Sequence, residues 1–236
     1  MIAWDIVAGM VGKLFLASPA SVADAFYNGM VTQKFTNALI QTLFVFAVGF
    51  GSAIAAGLPL GVLMGAFKRL GLTFDIYLYI LNATPTIALI PIIIVWLGLF
   101  DASKIFITWL AAVFPIIINT YTGVAGSDPD LVEAARSFGA NKRGILLKVM
   151  LPSSVPMMMA GLKIGASRGI VGTIVAELFT AIAGVGGLLV FYGNTFDTPD
   201  FFATVILLII LAALLTQGLS AIESHLSRWK RYEIRL

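Results

Sequence analysis

Five apolar stretches dominate this chain, at roughly residues 36–67, 76–99, 104–125, 153–182 and 201–227. Each is long enough to cross a hydrocarbon layer as a helix, which takes about 20 residues. In lipid the backbone has no water to bond to, so a spanning segment must satisfy its own N–H and C=O groups, as a helix does. The composition agrees. Only 11% of the 236 residues are charged and 59% are hydrophobic, whereas a soluble domain carries about 25% charged residues. The expectation is an all-α, polytopic membrane helix bundle.

The same composition excludes several classes. A net charge of +3 is too small and too spread for nucleic acid. With no cysteine, disulfides, thiol catalysis and Cys-based metal sites are excluded, and the single His225 cannot build a multi-histidine site. The basic residues orient the bundle. Ten of them (Lys68, Arg69, Arg136, Lys142, Arg143, Lys148, Arg228, Lys230, Arg231, Arg235) follow the first, third and fifth stretches, while Lys34 and Lys104 lie on the other side. The positive-inside rule places the ten in the cytoplasm, and with them the C-terminus. The C-terminal SRWKRYEIRL offers Arg228, Trp229, Lys230 and Arg231 to anionic lipid, at about 1 kcal/mol per basic residue near the surface, or else to a regulatory contact.

Residues 1–35 form an N-terminal membrane-associated segment ahead of a core at 36–236. Asp5 and Lys13 fit poorly in a signal peptide. The start reads instead as part of a membrane helix or as an interfacial helix anchored by Trp4. Small residues recur every four positions at Gly49, Ala53, Gly57, Gly61 and Gly65, and again at Gly161, Gly165 and Gly169. Such ridges let helix backbones approach closely in lipid, either inside one subunit or against a second. The stretch at 201–227 is bulky and reads as facing lipid. Pro59, Pro85 and Pro91 lie inside stretches, where each removes a backbone donor. ATPTIALIPIIIVWLGL therefore reads as a bent helix, bent either toward a pore or for packing alone.

One island, at about 126–152, breaks the apolar pattern. Ser127 or Asp128 can cap a helix, Pro129 suits its first position, and Asp130 and Glu133 favour its positive end. Leu131, Ala134, Ala135 and Phe138 share one face. Gly139 ends this helix, and Asn141 can cap a second through Met150. Pro152 marks where the chain goes into the membrane. The apolar face could pack under its own bundle, lie on anionic lipid or meet a soluble partner.

Within the island the spacing is Glu133-Ala134-Ala135, three residues, Gly139, nine residues, Val149, one residue, Leu151-Pro152. This resembles the EAA loop of binding-protein-dependent ABC importer permeases, with valine where isoleucine is usual. ATPTIALIPIIIVWLGLFDASKIFITWLAAVFPIIINTYTGV, GLKIGASRGIVGTIVAELFTAIAGVGGLLVFYG and FLASPASVADAF resemble the nitrate/sulfonate/taurine/bicarbonate branch of that family. The resemblance implies a type I importer permease in the inner membrane of a prokaryote. It also implies a second permease subunit, two cytoplasmic ATPase subunits and an extracytoplasmic binding protein. Glu133, Ala134, Ala135, Phe138, Gly139, Leu151 and Pro152 would couple to the ATPase. The cargo implied is a small anion or sulfonate-like organic acid. ATP and Mg would be bound by the partner subunits, since this chain has no G-x-x-x-x-G-K-[ST] phosphate loop.

Pro85, Pro91, Arg168 and Glu177 are the candidate translocation-path residues. A charge in hydrocarbon costs about 2.5–3.5 kcal/mol on insertion scales, so such residues face a bundle interior or water. In a continuous helix Lys163 and Glu177 share a face but stand about 21 Å apart, and Arg168 points the opposite way. Each therefore needs a partner elsewhere. Lys163 reads as snorkelling to the interface. Arg168 either lines the path or bonds carbonyls of a neighbouring helix, and Glu177 orders the outer end by pairing or hydrogen bonding. A secondary transporter would carry midplane carboxylates and often an inverted repeat. Glu177 is the one internal acid and no repeat is visible. A membrane-embedded enzyme would need clustered His, Asp, Glu or Ser, which the sequence lacks.

Overall fold

The computed structural model describes Trp4, Ala8, residues 15–181 and residues 183–226, the last three by backbone only. The described residues are helical, without strands. In chain order the helices are α1 (Pro19–Val31), α2 (Lys34–Ala66), α3 (Lys68–Ala83), α4 (Thr86–Leu97) and α5 (Asp101–Ala125). Then come α6 (Pro129–Ser137), α7 (Lys142–Ile145), a π-helical turn (Leu146–Met150), α8 (Leu151–Thr180), α9 (Gly184–Asn194) and α10 (Thr198–Leu226). The basic C-terminal residues Arg228, Trp229, Lys230, Arg231 and Arg235 lie outside the described residues.

Four continuous helical stretches are long and apolar enough to cross a membrane: Lys34–Ala66, Asp101–Ala125, Lys142–Thr180 and Thr198–Glu223. The stretch at 76–99 is helical as expected, and its two halves can together make a fifth, broken span. It is divided between α3 and α4, which meet at a bend of 89°. The cause is local. Pro85 has no N–H and disfavours the helical region for the residue before it. Thr84 accordingly leaves the helix at ψ 126°, and its hydroxyl donates to the Ile80 carbonyl at 3.0 Å. Pro91 stays within α4.

The contacts divide the chain into two compact units. The first holds the described residues of Met1–Gly49, Ile87–Thr108 and Ile170–Leu214. Its core gathers Val22, Ala25, Phe35, Ala38, Val185, Tyr192, Ala203 and Leu207, with Trp4 and Phe26 packed against it. Phe26 meets Phe35 edge-on with ring centroids 5.8 Å apart. Trp4 meets Phe202 of α10 in the same manner at 6.4 Å. Gly49 lies against Thr108, whose hydroxyl pairs with that of Thr173 at 2.8 Å.

The second unit holds the described residues of Phe50–Thr86, Trp109–Gly169 and Leu215–Leu236. Here the glycine ridges are used within the chain. A Cβ on Gly57, Gly61 or Gly65 would meet Ile116, Thr120 or Val124 of α5 at 2.5–2.8 Å. Gly161 and Gly165 of α8 receive Asn119 and Ile116 in the same way. Ile116 is thus held between two glycine ridges, and the small side chains convert directly into close backbone approach. On α10 the large side chains Ile209, Leu214 and Ile222 stand exposed, the disposition expected of a helix facing lipid.

Candidate coupling helix and intramembrane polar sites

The island at 126–152 folds by the local chemistry that its sequence carries. Asp128 caps α6, its Oδ1 accepting from the Asp130 N–H at 2.9 Å, and Pro129 takes the first helical position. At the other end the Ala140 N–H reaches the Ala135 carbonyl at 3.0 Å and the Gly139 N–H reaches Arg136 at 2.8 Å. This pair of bonds is the Schellman motif, which needs a left-handed residue just past the helix. Gly139 supplies it at φ 78°. Asn141 then caps α7 by accepting from the Gly144 N–H at 2.7 Å.

The second short helix differs from expectation in not ending at Met150. It runs through the π turn directly into α8, giving one helical stretch over Lys142–Thr180. Proline at 152 would leave an α-helical ladder short of one donor at the preceding turn. The wider turn shifts the register there, with the Leu151 N–H bonding the Leu146 carbonyl. Leu151 and Pro152 therefore sit in the first turn of α8, stiffly joined to the island. The Ser127 and Ser153 hydroxyls, 3.1 Å apart, tie the base of the island to that turn.

No residue of α6 is buried. Phe138 is 93% exposed, Leu131 53% and Leu147 49%, while Glu133 and Ala134 are exposed and Ala135 half-buried. Among the described residues, the apolar face of Leu131, Ala134, Ala135 and Phe138 is therefore left largely exposed.

The three charges in α8 find separate surroundings. Lys163 forms an ion pair with Glu223 of α10, so it is paired within the protein and does not merely snorkel. Arg168 is exposed on α8, and its Nη1 donates to Asn82 Oδ1 at 2.8 Å. Asn82 stands two residues before the break at Thr84. Exposed Ile164, Ser167 and Val171 share that part of α8. A guanidinium has five donors, and a charge on the outside of a span calls for water or another protein surface.

Glu177 is fully buried. Its carboxyl accepts from the Thr42 hydroxyl at 2.8 Å and from the Gly186 N–H at 2.9 Å. Thr42 in turn accepts from the Val185 N–H at 2.9 Å. The reason lies in α9. It starts at Ala183-Gly184-Val185-Gly186, and its N-cap Ala183 makes no side-chain cap bond. The first N–H groups of any helix lack intrahelical acceptors, and here α8 and α2 supply them through Glu177 and Thr42. Gly184, at φ 86°, leaves the space that the carboxyl fills. The charges that act on Glu177 are Lys104, itself buried and 3.4 Å from Asp101, and Asp101.

The structure thus brings Glu133, Ala134, Ala135, Phe138 and Gly139 to one exposed element, with Leu151 and Pro152 at its membrane end. Pro85, Pro91, Arg168 and Glu177 have separate local settings, Pro85 and Arg168 in the second unit and Pro91 and Glu177 in the first. Pro85 sits at a break, Arg168 is outward-facing and Glu177 is a buried cap. Sequence reading missed Thr42, Asn82 and Glu223. One signal was available for the first: a glycine-rich helix start with no capping side chain requires an acceptor from elsewhere.

Residues 57–232 match the family described as binding-protein-dependent transport system inner membrane component. The formylaminopyrimidine transport permease protein ThiX of Halalkalibacterium halodurans is 30% identical over 232 residues, covering 98% of this chain and 92% of that protein. The taurine transport system permease protein TauC of Escherichia coli is 28% identical over 233 residues, covering 96% and 85%. An inward-facing structure of the MetNI methionine ABC transporter matches with a TM-score of 0.70 at 22% identity, covering 80% of this chain and 94% of that one. At that identity the likeness is one of fold. A family match that runs from the glycine ridge of α2 through the capped EAA helix and into α10 makes this chain a member of the binding-protein-dependent ABC permeases.

Proposed function

We propose that this chain forms, with a second permease subunit, the membrane path of an ATP-driven importer for a small anion or sulfonate-like organic acid. α6 docks on a cytoplasmic ATPase, and a binding protein delivers the solute from outside. The chain itself is not an enzyme, and ATP and Mg belong to the ATPase. The reading is carried by one observation: among the described residues, a capped, amphipathic helix bearing the EAA pattern leaves Phe138 almost fully exposed and Leu131 about half exposed. The basic loops orient α6 and the C-terminus toward the cytoplasm, which puts the α1–α2 turn and the 181–197 region on the opposite side. Reconstituted with its ATPase and binding protein in vesicles, the complex is expected to take up solute only with ATP and to stop with vanadate. Uptake that persists without ATPase, driven by an ion gradient, would establish a secondary transporter instead.

Arg168 supplies positive potential along this path. It is held by Asn82 and still offers donors to a passing anion. Arg168→Gln in a complex that assembles and hydrolyses ATP is expected to cut uptake of an anionic solute by about tenfold, the scale of one charge-assisted hydrogen bond. Unchanged uptake would remove Arg168 from the path and leave it as a tie between α8 and α3.

A further inference from the structure

We propose that a cavity of ≈ 480 Å³ in the first unit is a binding site for a small organic anion, reached before the solute enters the path; this rests on the importer reading above. One wall is the start of α2. Lys34, Asn37 and Gln41 line it, at spacings of three and four residues that set them on one helix face. Between them they offer one cation and two amide groups as donors. The facing wall is mostly apolar, built by Ala183, Leu188, Phe191 and Tyr192, the Tyr192 hydroxyl being hydrogen-bonded to Asp200. No carboxylate is among the lining residues. Asp101 accepts from Gln41 Nε2 at a long 3.5 Å, and Asp200 lies within electrostatic reach of Lys34, but neither lines the cavity. The Val185 and Gly186 N–H groups of α9 are already taken by Thr42 and Glu177. Recognition of a charged head therefore falls to the side chains of α2. A concave, mostly apolar space of this size with a few placed polar groups is the usual form of a small-molecule site. The ligand class that fits is an anionic head, sulfonate or carboxylate, on a short carbon body lying against Leu188 and Phe191.

The chain has no cysteine, so a single one reports cleanly. Ala183→Cys places a thiol on the cavity wall. The full chain, assembled with its ATPase in phosphatidylcholine nanodiscs, is treated with a maleimide in the presence of propanesulfonate or of uncharged dimethyl sulfone. Propanesulfonate at ten times its dissociation constant is expected to slow labelling about tenfold. Dimethyl sulfone should have no effect, and adding Lys34→Gln should restore the unprotected rate. Protection by the sulfone, absence of protection by the sulfonate, or protection that survives Lys34→Gln would overturn the assignment. So would protection produced by anionic lipid alone, which would give the cavity to the membrane surface. A complex that assembles and hydrolyses ATP without protection defeats the cavity assignment only. A chain that protects its thiol but captures no ATPase defeats the importer reading and leaves the anion site standing.

Discussion

Replacing Phe138 with asparagine is expected to leave the chain folded and inserted but to abolish its capture of the cytoplasmic ATPase, and uptake with it. Phe138 is 93% exposed, so its side chain contributes little to the fold, and such surface changes stay within about 0.5 kcal/mol. Asparagine is also tolerated at a helix C-terminus. As an interface anchor the ring is worth more. Buried aromatic anchors cost about 2 kcal/mol or more when truncated, which is about 30-fold in affinity. Gly139→Leu tests the same element by another route. A side chain at φ 78° costs about 1–2 kcal/mol in the left-handed region. The Schellman bonds from Ala140 and Gly139 would be lost, and α6 and α7 would change their angle. Glu133→Lys reverses a charge in the second turn of α6, near its positive end. The measurements are co-purification with the ATPase and the yield of inserted monodisperse protein. Wild-type capture by both Phe138→Asn and Gly139→Leu, with normal insertion, would reject α6 as the coupling element.

The capped helix α6 was legible in the sequence because its determinants are local. Asp128, Pro129, Gly139 and Asn141 each act within four residues of themselves, and each took up the role its chemistry allows. The spans were legible from length and hydropathy alone. The glycine ridges were half legible. Their spacing shows that something packs closely, but only the structure shows that Ile116, Thr120 and Val124 do so within the chain. Pro85 announced a bend without its size. What stayed hidden is the pairing of polar groups across the chain. Thr42 and Glu177 are 135 residues apart, Asn82 and Arg168 are 86 apart, and Lys163 and Glu223 are 60 apart. No periodicity encodes such a match. The expectation of a partner followed from the cost of an unpaired charge in lipid, while the identity of the partner depends on how the helices pack.

The same reasoning gives the second large effect, at Glu177. Glu177→Ala is expected to free the start of α9. It removes the acceptor for the Gly186 N–H and for the Thr42 hydroxyl, and each buried group left unpaired costs about 1–3 kcal/mol. Glu177→Gln should be milder. Its carbonyl oxygen can still accept from Gly186, and its amide can donate to Thr42, whose oxygen has a second lone pair. The quantity to follow is amide hydrogen exchange in a peptide spanning residues 183–194, in the assembled complex. At about tenfold per 1.4 kcal/mol, the alanine variant should exchange roughly 10–100-fold faster there, with the glutamine variant between it and wild type. Gly186→Ala provides an independent arm. Its Cβ would stand 2.6 Å from the Cβ of Glu177, so it should push α9 off its cap and raise exchange in the same peptide with the carboxyl intact. Residues 57–65, packed by their own glycines on α5 in the other unit, should stay protected throughout. Because Ala183 and Leu188 line the proposed anion cavity, freeing α9 should also weaken sulfonate protection of a thiol at 183 without altering ATPase capture by α6. Exchange that is unchanged in Glu177→Ala, or equal in the alanine and glutamine variants, would show that α9 holds its position without the borrowed cap.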